Sequence, residues 1–215
     1  MPSRGRPTSL LAAINSLKWN ACYPANVEVL VAADPGDQET VAVARIAKAW
    51  HWTAPERYGY ARLHEYYNHL ATLAHGDWLL VWNDDAIMVT EGWDEIIRAQ
   101  DPAVLWLGAN HHHTASMFPA WPRAWAVATG HVSPVPHNDT FLQHLGEVLG
   151  RLVKVPVEVR HDRADVTGAN DDATYAEGRG RIGPDGMVDG YDHGLERSTI
   201  MQDVPIIERL LEKGV

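Results

Sequence analysis

The chain has 215 residues, 46% of them hydrophobic and 21% charged, the proportions of a globular domain large enough to bury a real core. Its formal charge of 18 − 28 = −10, with histidines neutral, disfavours broad non-specific binding to nucleic acid, which relies on neutralising phosphates. One cysteine, Cys22, excludes an internal disulfide framework and agrees with a reducing compartment. No apolar run approaches the roughly 20 residues that span a bilayer. With no secretory signal at the start, a cytoplasmic location is expected.

Taken in order, the chain opens with a compact basic loop, Arg4-Gly5-Arg6, and Pro7 suits the first turn of a helix. Leu10, Ile14 and Leu17 recur at helical spacing. Val27 to Ala32 reads as a strand that runs into a turn at Asp34-Pro35-Gly36-Asp37. Val43, Ile46, Ala47 and Trp50 mark the next helix, and the succession begins a wound α/β unit. Leu63, Tyr67, Leu70 and Ala74 give a third helical face, closed by Gly76. Trp78 to Trp82 is a short apolar run, expected to be a strand buried on both faces.

That strand ends abruptly in Asn83, Asp84 and Asp85. Two adjacent carboxylates after a buried strand are costly without a cation or hydrogen-bond donors. Open α/β sheets hold ligands beyond the carboxyl ends of their strands, and hard oxygen ligands suit magnesium or manganese. A polar turn in which one of the acids caps a helix accounts for the local pattern equally well.

Beyond the acids, Trp93, Ile96 and Ile97 predict a short helix, and Ala103 to Leu107 a strand. Asn110 to Pro136 looks irregular, with His111, His112 and His113, several prolines, Trp121 and Trp125. Consecutive residues of an extended segment face opposite ways, so the three histidines suit a solvated or acceptor-side loop better than one metal ion. The two tryptophans are either a sugar-stacking platform or core. Asn138-Asp139 precedes a helix bearing Phe141, Leu145 and Val148. Val153, Val155, Val157 and Val159 alternate with polar residues and Pro156, the pattern of an edge strand that delivers His161 and Asp162. Glu177 to Gly194 is rich in glycine and charge and reads as a mobile lid or loose loop. Asp203 to Pro205 is expected to start a closing helix with Ile206, Ile207, Leu210 and Leu211.

Pro2-Ser3-Arg4-Gly5-Arg6-Pro7, a strand ending in Asp34, Trp82-Asn83-Asp84-Asp85-Ala86 and Gly92-Trp93-Asp94, in that order, together resemble a GT-A glycosyltransferase of the family 2 type. The flavour is that of the small form found in phages and bacteria, and the likeness runs from Pro2 to Thr174. It implies a Rossmann-like α/β fold, with a mixed, mostly parallel sheet between helices. The glycosyltransferase domain would cover residues 1–175, and residues 176–215 would add a flexible Gly-rich segment and a final helix to the same domain. The family's strand before Pro2 is missing, so the first strand is expected to be truncated. An upstream segment or a neighbouring chain in a homo-oligomer would fill its slot.

The resemblance further implies that Pro2, Ser3, Arg4 and Arg6 lie against the nucleotide of a nucleotide-sugar donor. Asp34 would take its base or ribose. Asp84 and Asp85 match the D-x-D-type element, with Asn83 in place of its first acid. Asp85 and His161 would ligate a divalent cation, manganese or magnesium, with Asp84 on metal or ribose, and Asp139 would be the catalytic base of an inverting enzyme. Modified DNA bases, a virion protein and an envelope glycan are all compatible acceptors. A metal-dependent nucleotide-sugar hydrolase or phosphotransferase, and a non-catalytic nucleotide-sugar-binding relative, use the same residues.

Overall fold

A computed structural model describes residues 1–110, 118–183, 187–188 and 191–214. The His111–His113 run lies outside the described residues. Strand β1 (Pro2–Ser3) leads into helix α1 (Pro7–Trp19), which has Pro7 in its first turn and buries Leu10, Ile14 and Leu17 as the spacing predicts. Strand β2 (Leu30–Ala33) follows, then α2 (Gln38–Ile46), capped by the Asp37 carboxylate on the Thr40 amide. Trp50 does not extend that helix. It opens strand β3 (Trp50–Thr53), paired in parallel with β2, because the chain turns at Ala47–Lys48 with Lys48 at φ 52°. Helix α3 (Leu63–Leu73), strand β4 (Trp78–Leu80), strand β5 (Ala86–Met88), helix α4 (Trp93–Arg98) and strand β6 (Val104–Ala109) come next.

The stretch expected to be irregular contains strand β7 (Pro119–Pro122) and helix α5 (Arg123–Thr129), ended by Gly130 in the left-handed region. Both prolines stand at the ends of β7, where a lost N–H costs the ladder least. Trp121 and Trp125 are fully buried and meet edge to face at 6.5 Å, so they are core and not a sugar platform. Helix α6 (Asn138–Val148) precedes strand β8 (Leu152–His161). Strand β8 lies inside its sheet, between β6 and β5, rather than at an edge. Pro156 is accommodated by a register shift between Trp106 and Gly108 of β6. Two short helices, α7 (Ala164–Thr167) and α8 (Ala173–Arg179), lead to α9 (His193–Glu212). That last helix begins under an Asp192 cap and carries Pro205 in its interior, so Asp203 is not its start. Asp203 is buried beside His131, at 3.3 Å. Glu177 to Gly194 therefore includes the end of α8, an Ile182–Val188 bridge and the first turn of α9.

The strands form two sheets, ordered β1-β2-β3 and β4-β7-β6-β8-β5. Pairings β1–β2, β2–β3 and β6–β8 are parallel, and β4–β7, β6–β7 and β5–β8 antiparallel. Helices α1 and α4 cover one face, with Leu10, Ile14, Trp93 and Ile97 packed on Met88, Leu105 and Val157. On the other, α5, α6 and α9 bring Trp125, Phe141, Leu145, Ile200 and Ile207 against Trp121 and Val104. The fold is the mixed α/β domain with flanking helices that the sequence implies. Strand β1 has two residues, and the Ala32 amide extends the ladder to the Met1 carbonyl at 3.0 Å. A cavity of about 330 Å³ separates β2 from β4. For that reason β4 is only half-buried along Trp78–Leu80, and full burial starts at Val81 and Trp82.

Candidate active site

Beyond Trp82 the chain turns through Asn83, Asp84 and Asp85 into β5, and β5 runs antiparallel to β8 with Ala86 opposite His161. That register sets Asp85, one residue before β5, beside the last side chain of β8. The His161 Nε2 and Asp85 Oδ1 atoms are 3.0 Å apart, both side chains are buried, and Phe118 meets the imidazole edge to face. Asp84 turns the other way. Its Oδ2 accepts from the Ser3 hydroxyl at 2.7 Å and its Oδ1 from Arg6 Nη1 at 3.4 Å, while Arg6 also stands 3.7 Å from Asp85. Both acids are thus buried and partnered, as their cost demands.

Their environments drive them apart. Burial, reinforced by the charge of Asp85, pushes the Asp84 carboxyl up to about 6 against the pull of Arg6 and Ser3. Burial acts the same way on Asp85, but the His161 bond and the His161 and Arg6 charges outweigh it and hold Asp85 below the ordinary carboxylate range. The pair therefore carries one firmly ionised acid, Asp85, in a site with titratable neighbours.

The basic loop forms one wall. Pro2, Ser3, Arg4, Arg6, Asp34, Asp84 and Asp85 line a pocket of about 150 Å³ together with Tyr60 and Tyr66. Asp34 sits just past β2, where its Oδ1 accepts a hydrogen bond from the Tyr66 hydroxyl and its Oδ2 lies 3.7 Å from Arg57. A second cavity, of about 320 Å³, shares Asp85 and Tyr60 with the first. It is lined by Asp85, Asp139 and His161, with Tyr60, Tyr67 and Tyr175 among its walls. Asp139 is in the first turn of α6, whose cap position is His137. Its Oδ1 accepts from the adjacent Thr140 amide at 2.9 Å. Burial raises its pKa, against the opposing influence of His137 and its backbone bonds. Asp139 is thus not the cap residue of α6, although its carboxylate holds a first-turn amide. All nine site residues singled out in the sequence line these two adjoining pockets.

Several residues of the site are not visible in the sequence pattern. Tyr60 has its phenol pushed up to about 12 by burial. Tyr67 donates to the Trp82 carbonyl at 2.9 Å and lies 3.1 Å from Asn83 Oδ1. Asp172 binds Arg6 through both oxygens, at 2.6 and 2.8 Å, and its Oδ1 also caps α8 on the Tyr175 amide. Thr174 and Glu177 hold Arg4, and Glu177 also bonds Arg57. The run of tyrosines at positions 58, 60, 66 and 67 is the one signal that points toward part of this group.

Among the described residues no group of three or more histidine, cysteine, aspartate or glutamate side chains is placed to hold a metal ion. Asp85 provides a hard carboxylate oxygen, which suits manganese or magnesium, and His161 an imidazole nitrogen, which magnesium does not favour. Two protein ligands fit a cation that takes its other ligands from substrate oxygens and water.

No family model matches the sequence, and no curated protein matches it. Solved structures do match. A mannosyltransferase from Pyrobaculum calidifontis, PcManGT, in complex with GDP-Man and Mn2+, superposes with a TM-score of 0.63 at 13% identity, over 100% of this chain and 74% of that one. S. aureus TarS 1-349 gives 0.58 at 14% identity over 76% of this chain, and the same fragment with UDP-GlcNAc 0.58 at 11% over 95%. The chain spans 36% of the length of one TarS structure and 59% of that of TarS 1-349. These likenesses identify the fold as that of GT-A glycosyltransferases.

Proposed function

We propose that the chain is a metal-dependent glycosyltransferase that moves a hexose from a nucleotide-sugar to an acceptor hydroxyl with inversion. The observation that carries this reading is the joining of the two pockets at Asp85: one lined by the arginines, Asp34 and Asp84, the other by His161 and Asp139. The first suits a nucleoside diphosphate, with Ser3, Arg4 and Arg6 as donors to phosphate oxygens and Asp34 and Asp84 as acceptors for base or ribose. The second has room for a sugar and an incoming hydroxyl. Asp85 and His161 would hold the divalent cation, which when bound supplies positive charge against the developing charge of the leaving diphosphate. The likeness to PcManGT, in complex with GDP-Man and Mn2+, and to TarS 1-349, in complex with UDP-GlcNAc, supports the donor class.

In the transfer itself, Asp139 takes the acceptor proton as the acceptor oxygen bonds to the anomeric carbon. The bond from that carbon to the diphosphate breaks, and its electron pair leaves with the nucleoside diphosphate. Asp139 holds the Thr140 amide through Oδ1. A base works deprotonated, so activity is lost as pH falls through its pKa. Since burial raises that pKa, the acidic limb should lie above the ordinary aspartate value of about 4.

The test begins with thermal stabilisation by UDP-GlcNAc and GDP-mannose, each with and without manganese. Turnover of Asp139→Asn is then measured with the donor that binds. The variant should bind donor normally, transfer roughly 10²–10⁴ times more slowly and lose the acidic limb. Near-normal transfer would remove Asp139 from the role. Release of free sugar at an undiminished rate without any acceptor would make the protein a hydrolase instead.

A further inference from the structure

The arginines that face the donor pocket are already engaged, and their partners come from one short helix. Asp172 grips Arg6 through two parallel bonds, the fork geometry that an arginine offers to carboxylate and phosphate alike. Arg4 bonds Thr174 Oγ1 at 3.0 Å and Glu177 Oε2 at 3.0 Å, and Arg57 bonds the same Glu177 oxygen. All three arginines are thus fastened to α8 or its cap residue. The closure is close-fitting: a Cβ at Gly178 would come within 2.8 Å of the Tyr60 ring, the side chain that lines both pockets.

We propose that Asp172 and Glu177 are internal competitors of the donor diphosphate, so that donor affinity is set by how readily α8 gives up the arginines. This rests on the donor site assigned above. A diphosphate presents more charge and more acceptor oxygens to the same forks than two carboxylates do. The competing carboxylates sit at the rim, with side-chain exposures of 37% for Asp172 and 24% for Glu177, where water screens their hold and eases exchange. At seven residues, α8 is too short to persist unsupported. The Asp172 carboxylate keeps its cap on the Tyr175 amide when Arg6 leaves, but α8 loses the arginine tethers that support it, so it opens locally rather than swinging away intact.

The probe is inorganic pyrophosphate at fixed ionic strength, titrated calorimetrically into the wild type, Asp172→Asn, Glu177→Gln and Asp171→Asn. Asparagine caps nearly as well as aspartate, so Asp172→Asn removes the charge and keeps the helix start. Asp171 pairs with Arg179 on the exposed side, so its variant carries the same charge change away from the donor forks. The first two variants should each bind pyrophosphate about 3- to 10-fold more tightly, and Asp171→Asn within about twofold of wild type. In the wild type, saturating pyrophosphate should speed amide exchange across residues 173–179. Equal or weaker binding by both Asp172→Asn and Glu177→Gln, or slower exchange in α8, would overturn the competition while leaving the donor site standing. Binding by none of the four proteins would overturn the donor site, and the competition with it.

Discussion

Two cavities of nearly equal volume, about 330 and 320 Å³, adjoin strand β4 and the turn that follows it. The one between β2 and β4 is lined by Leu30, Leu70, Trp78, Leu80, Trp93 and Trp121. The one beyond the strand's carboxyl end contains Asp85, Asp139 and His161. Size does not separate them. Chemistry does, because the second and not the first is lined by the Asp85–His161 pair and by Asp139, whose pKa burial raises. The first is a gap between two sheets that share helices but no ladder among the described residues.

The strongest way to break this contrast is Trp121→Ala. Trp121 is fully buried and lines the apolar cavity, so truncation enlarges a void and should cost about 3–5 kcal/mol of unfolding free energy. Donor affinity of the folded fraction should not change. Denaturant unfolding with a parallel donor titration reads both, and a selective loss of donor binding would make the apolar cavity part of the site.

Asp85→Ala probes the other cavity. Manganese-dependent nucleotide-sugar binding should fall by about 100-fold or more, beyond the 10–100-fold typical of losing a group that only orients a ligand. Calorimetry with and without manganese checks this, and unchanged metal dependence would move the cation elsewhere. Filling the apolar gap sharpens the comparison from the opposite side. Ala71→Leu adds a side chain at the cavity wall and should raise stability by about 1 kcal/mol, with donor affinity untouched.

The smallest effect expected is on pH. The Arg6 bond holds the Asp172 carboxyl below the ordinary aspartate range, against some burial. A depressed acid stabilises the folded state above its unfolded pKa, and that contribution is lost as pH falls through the folded one. Protection of residues 173–179 should therefore persist to below about pH 4, then decline. Asp172→Asn should abolish the dependence.

What the sequence disclosed was whatever has a local signature. Periodicity marked α1 and α3, and the break from Trp82 into Asn83-Asp84-Asp85 marked the acids at a strand end. Asp139 and His161 were picked out by resemblance, and both line one pocket with Asp85. The failures share a cause too. Pro119 and Pro122 mimic a loop while bracketing a strand, and Pro156 mimics an edge while a register shift hides it in the sheet interior. Asp172 and Glu177 meet Arg6 and Arg4 across 166 and 173 positions of chain, and no spacing rule spans such distances.

Tyr67 lines both cavities. Burial, with the nearby acids, raises its pKa far above that of an ordinary phenol, so the partition between the compartments carries a dipole and never a charge. Its hydroxyl also ties α3 to the Trp82 carbonyl, two residues before Asp84. The partition is thus a strut as well as an insulator: it sets the height at which the acid pair stands above the helix. Tyr67→Phe would keep the wall and cut the strut, leaving the carboxylates chemically intact on a looser mount.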